Sequence, residues 1–186
     1  DQRWRQPDRV GGDRIDDEDR IRTQRSWVTG RQSGRTGLIL QFAPTGQPFA
    51  EMILPGMEHD RPLLFFPGAS QQRAKFRTQD SPARPISSRL PGAGSISDFL
   101  GKVSQLLARH PWLTAFGGCL HDVRLCPYKA GWYALDQHGH ALPLRGREHW
   151  RLLALTGGEP CDLAGEWDGY RFRPLAIYLG NSYRVA

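Results

Sequence analysis

Short apolar stretches separated by turn-forming residues fill the N-terminal half of the chain. Residues 21–27 and 36–42 have the β-like composition of strands, and Arg31-Gln32-Ser33-Gly34 between them suits a hairpin loop. Residues 62–66 and 73–78 make a second such pair, joined through a Pro-Gly turn. The pattern therefore predicts two β-hairpins in this half.

Two polar stretches flank these hairpins. Residues 1–19 include an acidic run and sustain no apolar period, which predicts a linker or the frayed end of a removed helix. Residues 79–94 carry several prolines and serines, which predicts an exposed connector. We therefore expect an N-terminal β-hairpin lobe over residues 20–78 and a second lobe over residues 95–186.

The second lobe opens with the one clear helical pattern. Apolar residues recur at the spacing of a single helix face, at Ile96, Phe99, Leu100, Val103, Leu106 and Leu107. Ser95 precedes them and Asp98 follows three residues later, an arrangement in which the serine hydroxyl accepts a backbone N–H at the helix start. An amphipathic helix is therefore predicted between Ser95 and Pro111.

After the helix the sequence predicts a β-meander. Its strands are expected at residues 122–128, 131–135, 141–144, 150–155, 162–167 and 170–178. Asp168-Gly169 is the strongest turn signal, because this dipeptide tolerates the left-handed torsions of a tight hairpin. The whole pattern predicts an α+β fold that is mainly antiparallel β, with the C-terminal strands as a meander or a small barrel.

Composition and charge narrow the class of protein. The 186 residues are 39% hydrophobic, enough to bury a core, and 21 glycines with 14 prolines favour short elements and turns. No apolar stretch approaches the roughly 20 residues that cross a bilayer, so we expect no membrane partner. The formal net charge of +6 is carried mostly by arginine and favours contact with polyanions in general.

The cysteines and the N-terminal sequence bear on the setting of the protein. Cys119, Cys126 and Cys161 are too few and too irregularly spaced for the disulfide framework of a small secreted domain. We therefore expect a reducing, cytoplasmic location. The sequence starts with neither Met nor an apolar signal segment, so we expect it to be part of a longer protein.

A zinc site is the first chemistry to consider. Cys119-Leu120-His121 places two potential ligands on one strand face, with Cys126 nearby, but further ligands would have to come from Cys161 or from the His138-Gly139-His140 run. The spacing favours the alternative, in which Cys119 and Cys126 are small core residues and the histidine pair is a polar hairpin tip. We predict no metal and no cofactor in this segment.

The motifs of common catalytic sites do not occur in the sequence. There is no Gly-x-Ser-x-Gly elbow, Ser182 is predicted to lie in a turn, and neither Gly92-Ala93-Gly94 nor Gly101-Lys102 completes a phosphate-binding loop. Glu166 and Asp168 could share a strand face, but Asp168 is needed by its turn. We predict that the chain is not an enzyme and has no small-molecule substrate. The alternative is catalysis by a cysteine that the fold brings together with a histidine.

Basic and aromatic residues interleave in Lys75-Phe76-Arg77, Arg171-Phe172-Arg173 and Arg25-Ser26-Trp27, which raises nucleic-acid binding as an alternative. Alternation along a strand sends the ring to one face and the cations to the other. Outward rings would stack on bases beside the cations. The commoner arrangement buries the ring and leaves the cations to contact phosphates. The candidate contact residues for nucleic acid or a partner are Arg25, Lys75, Arg77, Arg171 and Arg173.

Five segments carry a family resemblance. They are RIRTQRSWVTGRQSGRTGLILQFAPTGQPF from Arg20, PGMEHDRPLLFFPGASQQRAKF from Pro55, HPWL from His110, HWRLLALTGG from His149 and AGEWDGYRFRPLAIY from Ala164. In this order they resemble the region downstream of the zinc finger in bacterial SWIM zinc-finger proteins. The most specific part is the Gly-Glu-Trp-Asp-Gly run followed by Arg-Pro-Leu, and the resemblance spans nearly the whole chain.

The resemblance implies an accessory protein of a system with a MoxR-type ATPase and von Willebrand A proteins. The finger of that family has the form C-x-C…C-x-H and is expected to bind zinc and to contact DNA or proteins. This sequence contains no Cys-x-Cys, so the resemblance places zinc in the parent protein and not in these residues. We expect a non-catalytic interaction module with a protein partner, with nucleic-acid binding as the alternative and an enzyme as the third hypothesis.

Overall fold

A computed structural model describes residues 8–18, 20–67, 72–77, 82–146, 148–180 and 182–186. The chain divides into two compact units, Asp1–Ile86 and Ser87–Ala186. Strands dominate both units, their ladders are antiparallel, and two helices complete the described secondary structure. The predicted α+β, mainly antiparallel β fold class is confirmed.

The first unit contains a five-stranded sheet and a separate hairpin. Its strands are β1 (Asp8–Glu18), β2 (Ile21–Gly30), β3 (Thr36–Pro44), β4 (Met57–His59), β5 (Leu63–Phe65), β6 (Ala74–Phe76) and β7 (Arg84–Pro85). The sheet order is β3-β2-β1-β4-β7, and β5 pairs with β6. Both predicted hairpins are present, although the turn predicted between β5 and β6 lies partly outside the described residues.

Strand β1 lies where the sequence predicted a linker or a frayed end. It pairs with β2 in antiparallel register from Asp8 opposite Gly30 to Glu18 opposite Ile21, with an irregularity between Val10 and Gly12. Hydrogen bonds between strand backbones require no apolar side chains, so a polar segment can pair with a long neighbouring strand. Composition alone could not reveal this pairing.

The predicted connector over residues 79–94 contains the division between the two units. Its described part is mixed: Ile86, Leu90 and Ala93 are buried, whereas both residues of β7, which pairs with β4, are exposed. Ala93 also forms a parallel bridge with Leu120. The apolar residues between the prolines explain the buried positions.

The second unit is a six-stranded antiparallel sheet with two helices. Its elements are α1 (Ile96–Arg109), β8 (Phe116–Tyr128), β9 (Gly131–Leu135), β10 (Ala141–Pro143), α2 (Trp150–Thr156), β11 (Cys161–Trp167), β12 (Phe172–Leu179) and β13 (Ser182–Val185). The sheet order is β10-β9-β8-β11-β12-β13. The sheet is open in its described part, so the structure agrees with the predicted meander and not with a closed barrel.

Helix α1 matches its prediction. The Ser95 hydroxyl accepts the Asp98 N–H at 3.0 Å, and the helix buries Ile96, Phe99 and Val103 in a core of 18 residues. The helix approaches β8 closely at Gly118, where a Cβ atom would lie 2.7 Å from the Phe99 ring. Glycine at this position therefore sets the distance between helix and sheet.

Two C-terminal elements differ from the predictions. Residues 150–156 form helix α2 instead of a strand, and Gly157 ends the helix with a left-handed φ of 61°. A short apolar run fits either a strand or a buried helix, so periodicity cannot separate the two. Ser182 begins strand β13 instead of lying in a turn. Neither helix of the described segments is long and apolar enough to cross a membrane.

Candidate partner-binding groove

The strands β8, β9 and β10 present two chemically different faces. One face is buried in the core through Val123, Leu125, Trp132, Ala134 and Leu142. Side chains alternate along a strand, so the intervening residues lie on the opposite face. They are Arg124, Cys126, Tyr128, Gly131, Tyr133, Leu135, Ala141 and Pro143.

The strand register brings the apolar members of this outer face together. Cys126 and Tyr133 are direct cross-strand partners, and Leu135 is opposite Ala141. The rings of Tyr128 and Tyr133 meet edge to face with centroids 6.3 Å apart. The result is a concave depression of about 320 Å³ lined by Cys126, Tyr128, Tyr133, Leu135 and Ala141. We call these five residues the β8–β10 groove.

Two cationic side chains stand near opposite ends of the groove. Lys129 lies in the turn after β8, and its ammonium group is 5.3 Å from the centre of the Tyr128 ring. Arg124 is the cross-strand partner of Leu135, donates to the Gly158 carbonyl at 2.6 Å and lies 3.5 Å from the Glu159 carboxylate. The groove is therefore apolar inside, with a cationic side chain near each end and Arg124 paired with Glu159.

The three thiols occupy different environments. Cys119 and Cys161 are buried, and burial raises the pKa of Cys119 well above its usual value. Burial, and then the neighbouring Asp162 carboxylate, raise the pKa of Cys161 to about 12, so both groups stay protonated at neutral pH. The prediction that Cys126 is a core residue is wrong: Cys126 lies half-buried on the outer face, two residues after the exposed Arg124.

The histidines considered as metal ligands hold backbone segments in place. His121 Nε2 lies 2.9 Å from the Leu90 carbonyl oxygen. The His138–His140 loop folds around Asp136, whose carboxylate accepts N–H groups from residues 138 and 140 at 2.9 Å. In the part of the chain that the structure describes, no three His, Cys, Asp or Glu side chains gather in a way that could hold a metal ion.

Asp136 also fixes the start of α1, because its carboxylate accepts the Ile96 N–H at 2.9 Å. Burial by itself would raise the pKa of Asp136. Hydrogen bonds from the N–H groups of Ile96, His140 and His138 outweigh burial and hold that pKa below its usual value. The carboxylate thus links the β9–β10 loop to the helix.

An arginine–carboxylate cluster, which the sequence analysis missed, holds the segment before α1 against β8 and β11. Arg89 donates to both carboxylate oxygens of Asp162 at 2.7 and 2.6 Å and lies 2.7 Å from the Asp122 carboxylate. Asp162 also accepts the Asp122 N–H at 3.1 Å. Hydrogen bonds from Arg89 to these carboxylates raise the pKa of Arg89, which stays charged. No sequence motif marks this cluster, because its members are about 30 to 70 residues apart.

The glycines considered for phosphate binding lie beside the start of α1, and one of them is required for packing. Gly92-Ala93-Gly94 and Gly101-Lys102 line a polar depression of about 460 Å³ beside α1, together with Asp98. Ser95 and Asp136 already bind N–H groups at the helix start, and the Asp98 carboxylate would repel an anion. A Cβ atom at Gly92 would lie 2.5 Å from the His121 ring, so glycine is required for this close approach.

The candidate contact residues surround buried rings. Trp27, Phe76 and Phe172 are at most 5% exposed, so none of these rings can stack on a base. Their basic neighbours are Lys75, Arg77 and Arg171, which are exposed, and Arg25 and Arg173, which are half-buried. Three of the five basic residues belong to the first unit and two to the second.

Asp168 serves its hairpin, as predicted. One of its oxygens accepts the N–H groups of Tyr170 at 2.9 Å and Arg171 at 2.8 Å, while the other lies 3.2 Å from the Arg145 guanidinium. Burial would raise the pKa of Asp168, but these hydrogen bonds and the charge of Arg145 lower it. Glu166 is buried within β11.

No family model matches the sequence, and neither a curated protein nor a solved structure matches it. One feature of the sequence does indicate the β8–β10 groove. Arg124 is charged and should face solvent, so Cys126 and Tyr128, which alternate with it on the same strand face, should face solvent too. The prediction that Cys126 is a core residue overlooked this consequence.

Proposed function

We propose that this chain is a non-catalytic interaction module that binds a protein partner through the β8–β10 groove. The main observation behind this proposal is a concave apolar surface. In it Tyr128 is 59% exposed, and Cys126, Tyr133 and Leu135 are half-buried. Apolar concavities with aromatic anchors and a charged rim are typical of the centres of protein interfaces. A small-molecule pocket would have more polar groups converging on it.

The surrounding chemistry supports a binding role. Cys119 and Cys161 stay protonated at neutral pH, which does not suit a nucleophile. The carboxylates of Asp136, Asp162 and Asp168 are hydrogen-bonded to backbone N–H groups or to arginine. Bonded in this way, they stabilise loops and helix ends.

The resemblance to SWIM zinc-finger proteins extends the proposal to a class of partner. In that case the chain accompanies a zinc finger carried elsewhere in the parent protein and acts in the cytoplasm. Its partner would be a MoxR-type ATPase or a von Willebrand A protein encoded nearby. The groove supplies the contact surface for such a partner, and zinc belongs to the parent.

Nucleic-acid binding is the second candidate, and the exposure of Lys75, Arg77 and Arg171 favours it. With the neighbouring rings buried, such binding would use phosphate contacts alone. We expect it to fall steeply as salt concentration rises and to weaken when Arg171 and Arg173 are replaced by Ala. Failure to retain oligonucleotides at low salt would remove this candidate.

The test of the main proposal is capture of the purified neighbouring ATPase and von Willebrand A protein by the immobilised chain. Leu135→Asp places a charge in the groove and should lower affinity at least about tenfold, which corresponds to about 1.4 kcal/mol. Leu155→Asp changes an exposed leucine on α2 and should leave capture unchanged. Full capture by folded Leu135→Asp would overturn the proposal.

A further inference from the structure

The dimensions of the groove indicate the kind of segment that fits it. From Arg124 to Tyr128 the outer face of β8 extends over four residue steps, about 13 Å at 3.3 Å per residue, and Lys129 follows in the turn. The concave part, at about 320 Å³, is near the lower limit for ligand pockets. That volume suits one or two apolar anchor side chains of a longer segment rather than a complete folded element.

The charge at the rim indicates what flanks those anchors. Among the described residues no carboxylate forms an ion pair with Lys129. The Arg124 and Glu159 side chains are both largely exposed, and exposed ion pairs contribute little, so an incoming carboxylate can compete for Arg124. A ligand with carboxylates on both sides of its apolar anchors would therefore complement the two ends of the groove.

The sheet edge beside the groove disfavours the other common way of binding a peptide. Strand β10 is the edge strand, has three residues and includes Pro143, which lacks an N–H. A peptide that adds a strand needs a continuous row of backbone donors and acceptors. The side-chain face is therefore the better binding surface.

We infer that the β8–β10 groove binds a partner segment in which one or two large apolar side chains are flanked on both sides by Asp or Glu. This inference rests on the proposed function and adds the chemistry of the ligand. Lys129 and Arg124 bind the flanking carboxylates, while Tyr128, Tyr133 and Leu135 contact the apolar anchors.

The test uses three fluorescein-labelled ten-residue peptides with the same central Phe-Leu pair and with Glu, Gln or Lys at all other positions. Fluorescence anisotropy with the whole chain should show tightest binding for the Glu peptide, about fivefold weaker binding for Gln, and weaker still for Lys. The preference for Glu should shrink as salt concentration rises. Lys129→Glu should abolish the preference for Glu, whereas Lys102→Glu, an exposed change on α1, should keep it.

The outcomes separate this inference from the proposed function. Equal binding of all three peptides, lost in Leu135→Asp, would overturn the charge preference and leave the groove as a binding surface. No binding of any peptide would overturn the inference, while partner capture would still decide the proposed function. If sedimentation shows a dimer that Leu135→Asp dissociates, the occupant is a second copy of the chain and the inference is wrong.

Discussion

The two units bury different kinds of polar group. In the described part of the first unit, Val28, Ile39, Ile53 and Phe76 form one apolar cluster, and Trp27, Leu38, Ala43, Ala74 and Ile86 are also buried. Near it the Ser26 hydroxyl and both ring nitrogens of His59 are buried without a hydrogen-bond partner. The second unit has a core of 18 buried residues, and its buried carboxylates Asp136 and Asp162 each accept several hydrogen bonds.

The difference indicates where the chain is rigid. An unsatisfied buried polar group costs about 1–3 kcal/mol, whereas a satisfied one links elements at little net cost. In the second unit the carboxylates of Asp136 and Asp162 are satisfied by hydrogen bonds, so we expect its stability to exceed that of the first unit. The groove lies on this second unit, where a rigid sheet can present Tyr128 and Tyr133 in fixed positions.

The largest expected effect compares two buried phenylalanines. Phe172 is fully buried against Phe99, with ring centroids 5.7 Å apart, whereas Phe76 lies in the small first-unit cluster beside His59. Phe172→Ala should lower the free energy of unfolding of the second unit by about 4 kcal/mol, and Phe76→Ala should lower that of the first by about 3 kcal/mol or less. Hydrogen exchange of peptides from each unit measures both. A larger loss from Phe76→Ala would contradict the expectation that the second unit is the more stable of the two.

The next effect concerns two glycines of the second unit. Gly118→Ala places a methyl group against the Phe99 ring, which packs against Phe172. It should therefore lower the free energy of unfolding by about 1–3 kcal/mol. Gly101→Ala lies within α1 with open space around it and should stabilise by about 0.5–1 kcal/mol. Chemical denaturation of both variants measures whether each change lowers or raises the free energy of unfolding. A neutral Gly118→Ala would mean that the helix shifts freely on the sheet.

The smallest effect is a dependence of stability on pH. Burial, and then the charge of Arg61, lower the pKa of His59 in the folded state. The unfolded chain therefore binds the proton first, and stability of the first unit falls as pH drops below about 6.5, by at most about 1.4 kcal/mol per pH unit. The lowered pKa of Asp136 keeps its contribution intact until pH falls below about 4.

Hydrogen exchange at pH 7 and pH 5 should therefore show the first unit weakening. Burial also lowers the pKa of His149, so the second unit should weaken too. His59→Leu should flatten the response of the first unit, because no proton is then taken up on unfolding. If His59→Leu leaves the pH response unchanged, the buried histidine is not its cause.

The parts of the fold that local sequence determines were predicted correctly. Helix α1 has one apolar face with a serine cap, and the β2–β3 hairpin has a turn with Gly34 at positive φ. Strand β1 and helix α2 were not predicted. Strand β1 depends on pairing with a neighbouring strand, and helix α2 is a short apolar run that also fits a strand. Local periodicity reveals neither the pairing nor the choice between helix and strand.

Less of the candidate groove than of the fold could be predicted from the sequence. Contacts were predicted at interleaved basic residues, and Cys126 was predicted to lie in the core. The groove depends on which face of β8, β9 and β10 the helix α1 covers, and cross-strand register decides which side chains meet there. Such information is tertiary, although the charge of Arg124 already indicated the outward face.

Cys126 gives the most direct test of the groove, because it is the one groove residue that reports its own accessibility. Cys119 and Cys161 are buried with raised pKa values, so alkylation of the native chain by N-ethylmaleimide should modify Cys126 alone. Saturation with the Glu peptide should slow that modification severalfold, as measured by mass spectrometry. An unchanged rate at Cys126 while the peptide is bound would contradict the account.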